Sequence, residues 1–114
     1  MRVTSDIFVS ALLRRVFSAG GYAAITRRGA AEAGAVFLVV RGRDGRLTLF
    51  GPAPQSDYGR ERPSDRSFVI LAEVIDDAAL NERVAKEERF DSDVWFVEIE
   101  TTGPVEDLVD VIRR

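Results

Sequence analysis

The chain has 114 residues, of which 46% are hydrophobic and 31% charged, which is typical of one globular domain and excludes disorder of the whole chain. It contains neither cysteine nor histidine, which excludes disulfides, zinc–thiolate sites and every nucleophile–histidine mechanism within the chain. The formal net charge of −3 is unevenly divided, because residues 1–47 hold eight arginines against three acids and the remainder has a balance of −8. Such asymmetry is one mark of an anionic partner.

The first predicted element is an amphipathic helix that begins at one of the polar residues 4–6 and ends at Gly20-Gly21. Its apolar residues recur at helical spacing and cover about half of the helical wheel. They are Phe8, Val9, Leu12, Leu13, Val16 and Phe17. Arg14 and Arg15 interrupt this run, which argues against a secretory signal, and no stretch approaches the roughly 18 apolar residues of a membrane span. We therefore expect a cytoplasmic protein that has no membrane segment.

Four short strands are predicted next, because short apolar stretches rich in β-branched residues alternate with turn signals. They span residues 22–26, 35–40, 47–50 and 68–74. Asp44-Gly45 predicts the hairpin between the second and third strands. Residues 51–67, which contain three prolines, predict a long irregular loop before the fourth strand, a stretch that is also compatible with a helix.

A second helix is predicted from Asp76 or Asp77 to about Arg89, with a thin apolar face. Residues 94–100 then alternate as a strand does, with Trp95, Val97 and Ile99 on one face and Phe96, Glu98 and Glu100 on the other. Phe96 is apolar on the polar face, so we expect a helix or a partner chain to cover it. Pro104 followed by two acidic residues predicts a short terminal helix.

The predicted order α-β-β-β-β-α-β-α defines the fold class. We expect one α+β domain over residues 1–114, with an antiparallel or mixed sheet of about five strands and two to three helices. Consecutive strands with short connections favour that kind of sheet, and the natural place for the helices is one of its faces.

Several strings of the sequence, taken together in order, resemble a small bacterial family known as domain of unknown function 1491. The strings are TSDIFVSALLRR from Thr4, GGYA from Gly20, RRGA from Arg27, EAGAVF from Glu32, GPAPQS from Gly51, RPSDR from Arg62 and RFDSDVWFVEIE from Arg89. The resemblance covers nearly the whole chain up to Glu100. It implies a cytoplasmic protein of alphaproteobacterial type, and it brings no catalytic residue, cofactor or substrate.

The proline-rich loop holds most of the candidate binding residues, because long loops on rigid sheets often bind ligands and guanidinium groups grip anions through two donors. The candidates are Gln55, Tyr58, Arg60, Arg62 and Arg66, together with Arg27 and Arg28 from the basic N-terminal half. Glu61 and Asp65 are interleaved with the loop arginines, so a self-paired surface network is the alternative interpretation.

Acidic residues offer only weak candidates for chemistry. Asp91 and Asp93 have the spacing of oxygen ligands but lack the glycine and distal glutamate of a calcium loop. Glu98 and Glu100 as an acid–base pair need a pocket that raises one pKa, which the sequence does not indicate. We therefore predict no catalytic residue, no metal site and no cofactor.

These observations favour a non-catalytic protein-interaction or accessory module whose partner is another protein or a second copy of the chain. The alternative is a domain or small enzyme that binds an anion or phosphate through Arg and carboxylates near the proline-rich loop. Nucleic-acid binding is the weaker alternative, because few aromatic residues accompany the arginines and the chain is acidic overall.

Overall fold

Helix α1 spans Ser5–Ser18 and buries Val9, Leu12 and Val16 of its predicted apolar face, whereas Phe17 of that face is 51% exposed. The computed structural model describes residues 3–54 and 66–112 of the chain. After the helix, Gly20 adopts a φ of +86°, and the N–H groups of Gly20 and Gly21 donate to the carbonyls of residues 17 and 16. These two bonds form a Schellman motif, which explains why the helix ends where the glycine pair predicts.

Six strands in the described part of the chain form one mixed sheet. They are β1 (Tyr22–Arg27), β2 (Val36–Arg41), β3 (Leu47–Pro52), β4 (Ser67–Ile75), β5 (Trp95–Glu100) and β6 (Asp110–Val111). Their order across the sheet is β1-β5-β2-β3-β4-β6. Strands β5 and β2 run parallel, as do β4 and β6, and the other neighbours run antiparallel. The α+β fold class is confirmed, with one strand more than the predicted five.

The sheet has an apolar core on each face. On the first face, Val36, Leu38 and Val40 of β2 pack with the buried side of α1. On the second face, Phe37 and Val39 pack in a separate cluster that includes two residues of the second helix. The expectation of helices on one face is wrong, because every residue from 36 to 40 is buried and both faces of the central strand therefore need cover.

Helix α2 spans Asp77–Phe90 and lies against the second face through Leu80 and Val84. The Asp76 carboxylate accepts the N–H of Ala79 at 2.7 Å, which is the N-cap that the sequence predicts. None of the fourteen residues of α2 is buried, which matches its thin apolar face.

The predicted terminal helix is wrong. A single 3-10 turn, Val105–Asp107, is followed by β6, whose residues pair in parallel with the start of β4. Leu108 and Val109 enter the first core, and the N–H of Ile112 donates to the carbonyl of Phe68 at 2.8 Å. Pairing with β4 and burial of the apolar residues outweigh the local helical signals of Pro104 and the acidic residues.

Strand pairing extends into both ends of the predicted proline-rich loop, whose residues 55–65 lie outside the described part of the chain. Strand β3 extends to Pro52, β4 begins at Ser67, and the N–H of Ala53 donates to the carbonyl of Ser67 at 2.9 Å.

In the part of the chain that the structure describes, neither helix is both long enough and apolar enough to cross a membrane.

Candidate functional site

Four of the predicted binding residues, Gln55, Tyr58, Arg60 and Arg62, lie outside the described residues. The other three, Arg27, Arg28 and Arg66, are described, and they stand at two separate places in the fold.

Arg27 and Arg28 hold the loop that follows β1 against the start of β5. The Arg27 guanidinium lies 3.0 Å from the carboxylate of Glu88 and donates to the carbonyl of Val94 at 2.9 Å. The Arg28 guanidinium lies 5.2 Å from the centre of the Trp95 ring, a cation–π distance. Both arginines therefore have structural contacts.

The loop itself is fixed around Trp95. The indole N–H donates to the carbonyl of Ala30 at 2.8 Å. A Cβ added to either Gly29 or Gly34 would stand 2.2 Å from the carbonyl oxygen of Asp93, so only glycine allows this approach.

Arg66 stands elsewhere, next to the N-terminal end of α1. Its guanidinium donates to the carbonyl of Val3 at 3.0 Å and lies 5.3 Å from the centre of the Phe8 ring. Phe8 in turn packs against Phe68 of β4, with 5.9 Å between ring centres. Arg66 is therefore part of the wall of a groove on the first face of the sheet.

This groove, which we call the α1 groove, lies between α1 and residues 106–110, which run from the 3-10 turn to the start of β6, and it has a volume of about 520 Å³. Residues 106–110 form the wall that faces the helix, and the space between this wall and α1 is open to solvent. Its apolar lining consists of Val3, Ile7, Phe8, Ala11, Leu108 and Val109.

The two rims of the α1 groove have opposite charge. Arg15 lines the groove from α1, whereas Glu106, Asp107 and Asp110 line it from the facing segment, and Arg66 reaches it from the position before β4. Between the rims, Ile7 exposes 58% of its surface although it lies on a helix whose opposite face is fully buried. The groove thus combines exposed apolar surface with charged side chains of both signs.

Sequence reasoning missed Ile7 and Arg15 as groove residues. Both were assigned to α1, but nothing local distinguishes Arg15 from Arg14. Arg15 lines the groove only because residues 106–110 return beside the helix, a long-range arrangement that no short-range pattern signals.

A second candidate region lies at the opposite end of the sheet, where β2 and β5 end side by side. Two adjoining depressions of about 310 and 410 Å³ share Gly42, Arg43, Thr101 and Thr102. We call the larger one the hairpin-end cleft, because the β2–β3 hairpin forms one of its walls. The hairpin is confirmed, and its arginines belong to the basic residues that the sequence offers for the weaker nucleic-acid alternative.

The acidic candidates have local structural roles. The Asp91 carboxylate accepts the N–H of Asp93 at 2.9 Å, a turn that follows the end of α2. Glu98 and Glu100 flank the Arg41 guanidinium at 3.7 and 3.8 Å. Among the described residues, no three acidic side chains come together as a metal site would require.

These features define a small α+β domain with a mixed sheet, an amphipathic groove and an open cleft at the sheet end. The chain belongs to the family described as Protein of unknown function (DUF1491), whose model matches residues 3–107. The family resemblance of the sequence strings is therefore confirmed.

Solved relatives have the same fold. The solution structure of protein Atu0922 from A. tumefaciens is 44% identical with a TM-score of 0.85, and the match covers 100% of this chain and 98% of that chain. The crystal structure of a DUF1491 family protein from Caulobacter crescentus CB15 is 30% identical with a TM-score of 0.77, covering 99% and 100%. An NMR structure of a DUF1491 family protein from the same organism is also 30% identical, with a TM-score of 0.79 and 99% coverage of both chains. No curated protein matches the chain.

Proposed function

We propose that the protein is a non-catalytic interaction module of the cytoplasm that holds a short segment of a partner protein in the α1 groove. The observation that supports this proposal is the exposure of Ile7, 58%, inside a groove of about 520 Å³ with oppositely charged rims. Exposed apolar surface rimmed by polar groups is a common mark of a protein-binding site.

The charges of the rims define the chemistry of the partner segment. Apolar side chains of the segment would cover Ile7 and Phe8, which removes apolar surface from water. A carboxylate on one side of the segment would face Arg15, and a basic residue on the other side would face Asp107. The expected ligand is therefore an amphipathic peptide with a basic edge and an acidic edge.

The first test is selection of short random peptides that bind the immobilised protein, followed by amide NMR of the labelled protein with one selected peptide. We expect the largest shifts in α1 near Ile7 and in residues 106–110. Failure to enrich any peptide, or shifts confined to the hairpin end, would contradict the proposal. Concentration-dependent broadening of the groove amides without peptide would identify a second copy of the chain as the occupant instead.

Two matched pairs of variants locate the binding surface. Ile7→Glu places a charge in the groove, whereas Ser10→Glu places the same charge at an exposed position of α1 that does not line it. We expect the first to weaken peptide binding by about tenfold or more, because loss of a hot-spot residue at the centre of an interface costs about 2 kcal/mol or more. The second should leave the affinity unchanged.

The charge of the helix rim is tested by neighbouring arginines. Arg15 and Arg14 are both exposed, but only Arg15 lines the groove. Arg15→Glu should weaken binding of a peptide that has an acidic edge, and Arg14→Glu should not. Equal effects of the two reversals would show that the protein's overall charge, and not the groove, attracts the peptide.

A further inference from the structure

The hairpin-end cleft is built where two parallel strands finish next to each other. Arg41, the last residue of β2, is in register with Glu100, the last residue of β5. The hairpin turn extends the wall on one side and Thr101-Thr102 on the other, while Gly20-Gly21 closes the third side. Ligands of sheets with parallel strands commonly bind beyond the carboxyl ends of those strands.

Glycine residues shape the walls of this cleft. Gly20 and Gly45 have φ values of +86° and +84°, conformations that favour glycine, and both line the cleft. A Cβ on Gly21 would stand 2.5 Å from the carbonyl oxygen of Glu100, so the turn after α1 can approach the end of β5 only without a side chain. The cleft has a volume of about 410 Å³, within the range of small-molecule sites.

The positively charged Arg43 forms no ion pair with any of the described residues. The other two arginines of the hairpin, Arg41 and Arg46, each have an acidic partner. Arg41 lies between Glu98 and Glu100, and Arg46 lies 3.4 Å from the Asp44 carboxylate. Arg43 is exposed at the tip of the turn and lines the cleft. A guanidinium in this position can grip an incoming phosphate through two donors.

Two hydroxyl groups stand opposite the hairpin. The Thr101 hydroxyl oxygen accepts the N–H of Gly103 at 3.2 Å, which leaves its own proton available to donate. Thr102 follows it, is exposed and lines the same cleft. Donors on both walls thus complement the charge of Arg43.

Tyr22 adds a flat apolar surface to this set of donors. Its side chain is 53% exposed and lines the cleft, although large aromatic residues are usually covered. Phe17 contacts it edge-on, with 5.9 Å between ring centres at an interplanar angle of 88°, which leaves the ring supported from one side. An exposed and supported ring of this kind is a platform on which a planar group stacks.

We propose that the hairpin-end cleft binds a small organic phosphate that carries a planar ring, which is the chemistry of a mononucleotide. The phosphate contacts Arg43 and the hydroxyl groups of Thr101 and Thr102, and the ring stacks on Tyr22. This site is separate from the α1 groove, so it does not depend on the proposed binding of a peptide.

The test is titration of the labelled full-length protein with four probes, followed by amide NMR. The probes are adenosine monophosphate, ribose 5-phosphate, adenosine and inorganic phosphate. We expect the monophosphate to shift the amides of Tyr22, Arg43, Thr101 and Thr102 and to bind most tightly, because each of the other probes lacks the ring or the phosphate. Shifts that are absent for every probe, or inorganic phosphate that binds as tightly as the nucleotide, would overturn the proposal.

Variants assign the contacts. Arg43→Ala, at an exposed turn position, should weaken nucleotide binding about tenfold or more, because charge-assisted hydrogen bonds to phosphate are lost. Arg14→Ala removes an equally exposed arginine that lines neither site and serves as the matched control. Tyr22→Ser should reduce the advantage of the nucleotide over ribose 5-phosphate. Equal effects of the two arginine variants would overturn the assignment.

Discussion

Close contacts of individual residues around Trp95 connect the N-terminal third of the chain with strand β5. Ser5, which is fully buried, donates its hydroxyl to the carbonyl of Gly34 at 2.6 Å, and the Trp95 indole donates to Ala30. Gly34 also lies directly against the backbone of Asp93. One short loop therefore connects the beginning of α1 with the beginning of β5.

Substitution of Gly34 tests how tight this contact is. In Gly34→Ala the new Cβ would meet the Asp93 carbonyl at 2.2 Å and the Ala30 carbonyl at 2.9 Å, so backbone must shift. We expect a loss of about 1–3 kcal/mol in the free energy of unfolding, which is the usual cost of overpacking. The measurement is urea denaturation followed by circular dichroism.

Gly103→Ala is the control for that substitution, because the nearest atom to its new Cβ is the Asp107 carboxylate at 4.0 Å. Its unfolding free energy should stay within about 0.5 kcal/mol of the parent, as is usual for surface positions. If the unfolding free energy of Gly34→Ala equalled that of Gly103→Ala, the loop would be able to shift without a measurable loss of stability.

Residue-level reasoning from the sequence succeeded where the signal was local. Phe96 stood out as an apolar residue on a polar face, and in the structure it stacks on Phe37 with 5.1 Å between ring centres, in the core under α2. The need for glycine at position 34 was not predictable, because it arises from the backbone of Asp93, far away in the sequence. The candidate residues of the proline-rich loop stay a prediction.

The two helices are equal in length and very different in burial. Helix α1 and α2 each have fourteen residues, but α1 buries four of them and α2 buries none. Helix α2 is held by its N-cap, by an internal pair in which Arg83 and Glu87 lie 2.8 Å apart, and by contacts of two apolar side chains. Most of the stability of a helix in a protein comes from packing of its apolar face.

We therefore expect α2 to open locally before the rest of the domain. Its amide protons should exchange with solvent faster than those of α1, because local opening costs least where few apolar contacts are lost. Hydrogen exchange measured by NMR or mass spectrometry compares the two helices within one sample. Equal protection of α1 and α2 would contradict this expectation and would indicate that the polar contacts of α2 suffice.

Prediction at the level of elements failed mainly at the C-terminal end. Helix α1, the hairpin turn and the alternation of β5 have strong local periods or turn chemistry, and the structure confirms them. Residues 105–111 have helical signals that are only one turn long, whereas their final structure depends on β4. Short segments of this kind are decided by their tertiary partners.

At the scale of the whole molecule, the two faces of the sheet are unequal. The first core joins α1, the central strands and residues 105–109, and it contains the fully buried Leu12 and Trp95. The second core is smaller and receives only partly buried side chains from α2, among them Leu80. Most of the apolar stabilisation should therefore come from the first face.

A pair of identical substitutions measures this asymmetry. Leu12→Ala should lower the unfolding free energy by about 2–5 kcal/mol, since it leaves a cavity in a closed core. Leu80→Ala should lower it by about 1 kcal/mol, because only part of that side chain leaves water on folding. Chemical denaturation of both variants gives the two values, and equal losses would show that the second face is as important as the first.

The order of the strands lay beyond sequence reasoning. Short connections favoured an antiparallel or mixed sheet but indicated no strand order; in the structure β2, β3 and β4 pair in sequence. The parallel pair of β2 and β5 joins residues about sixty positions apart. No local sequence pattern indicates whether β5 is inserted beside β1 or added at an outer edge of the sheet.

The position of β5 also determines when the sheet can be completed during synthesis of the chain. Because β5 lies between β1 and β2, the edges of β1 and β2 that face it stay unpaired in a nascent chain until residues 95–100 have left the ribosomal exit tunnel. Unpaired edges are templates for pairing with other chains. The nascent chain is therefore most prone to misassembly before β5 has emerged. Pairing of β5 with β1 and β2 then completes this part of the sheet.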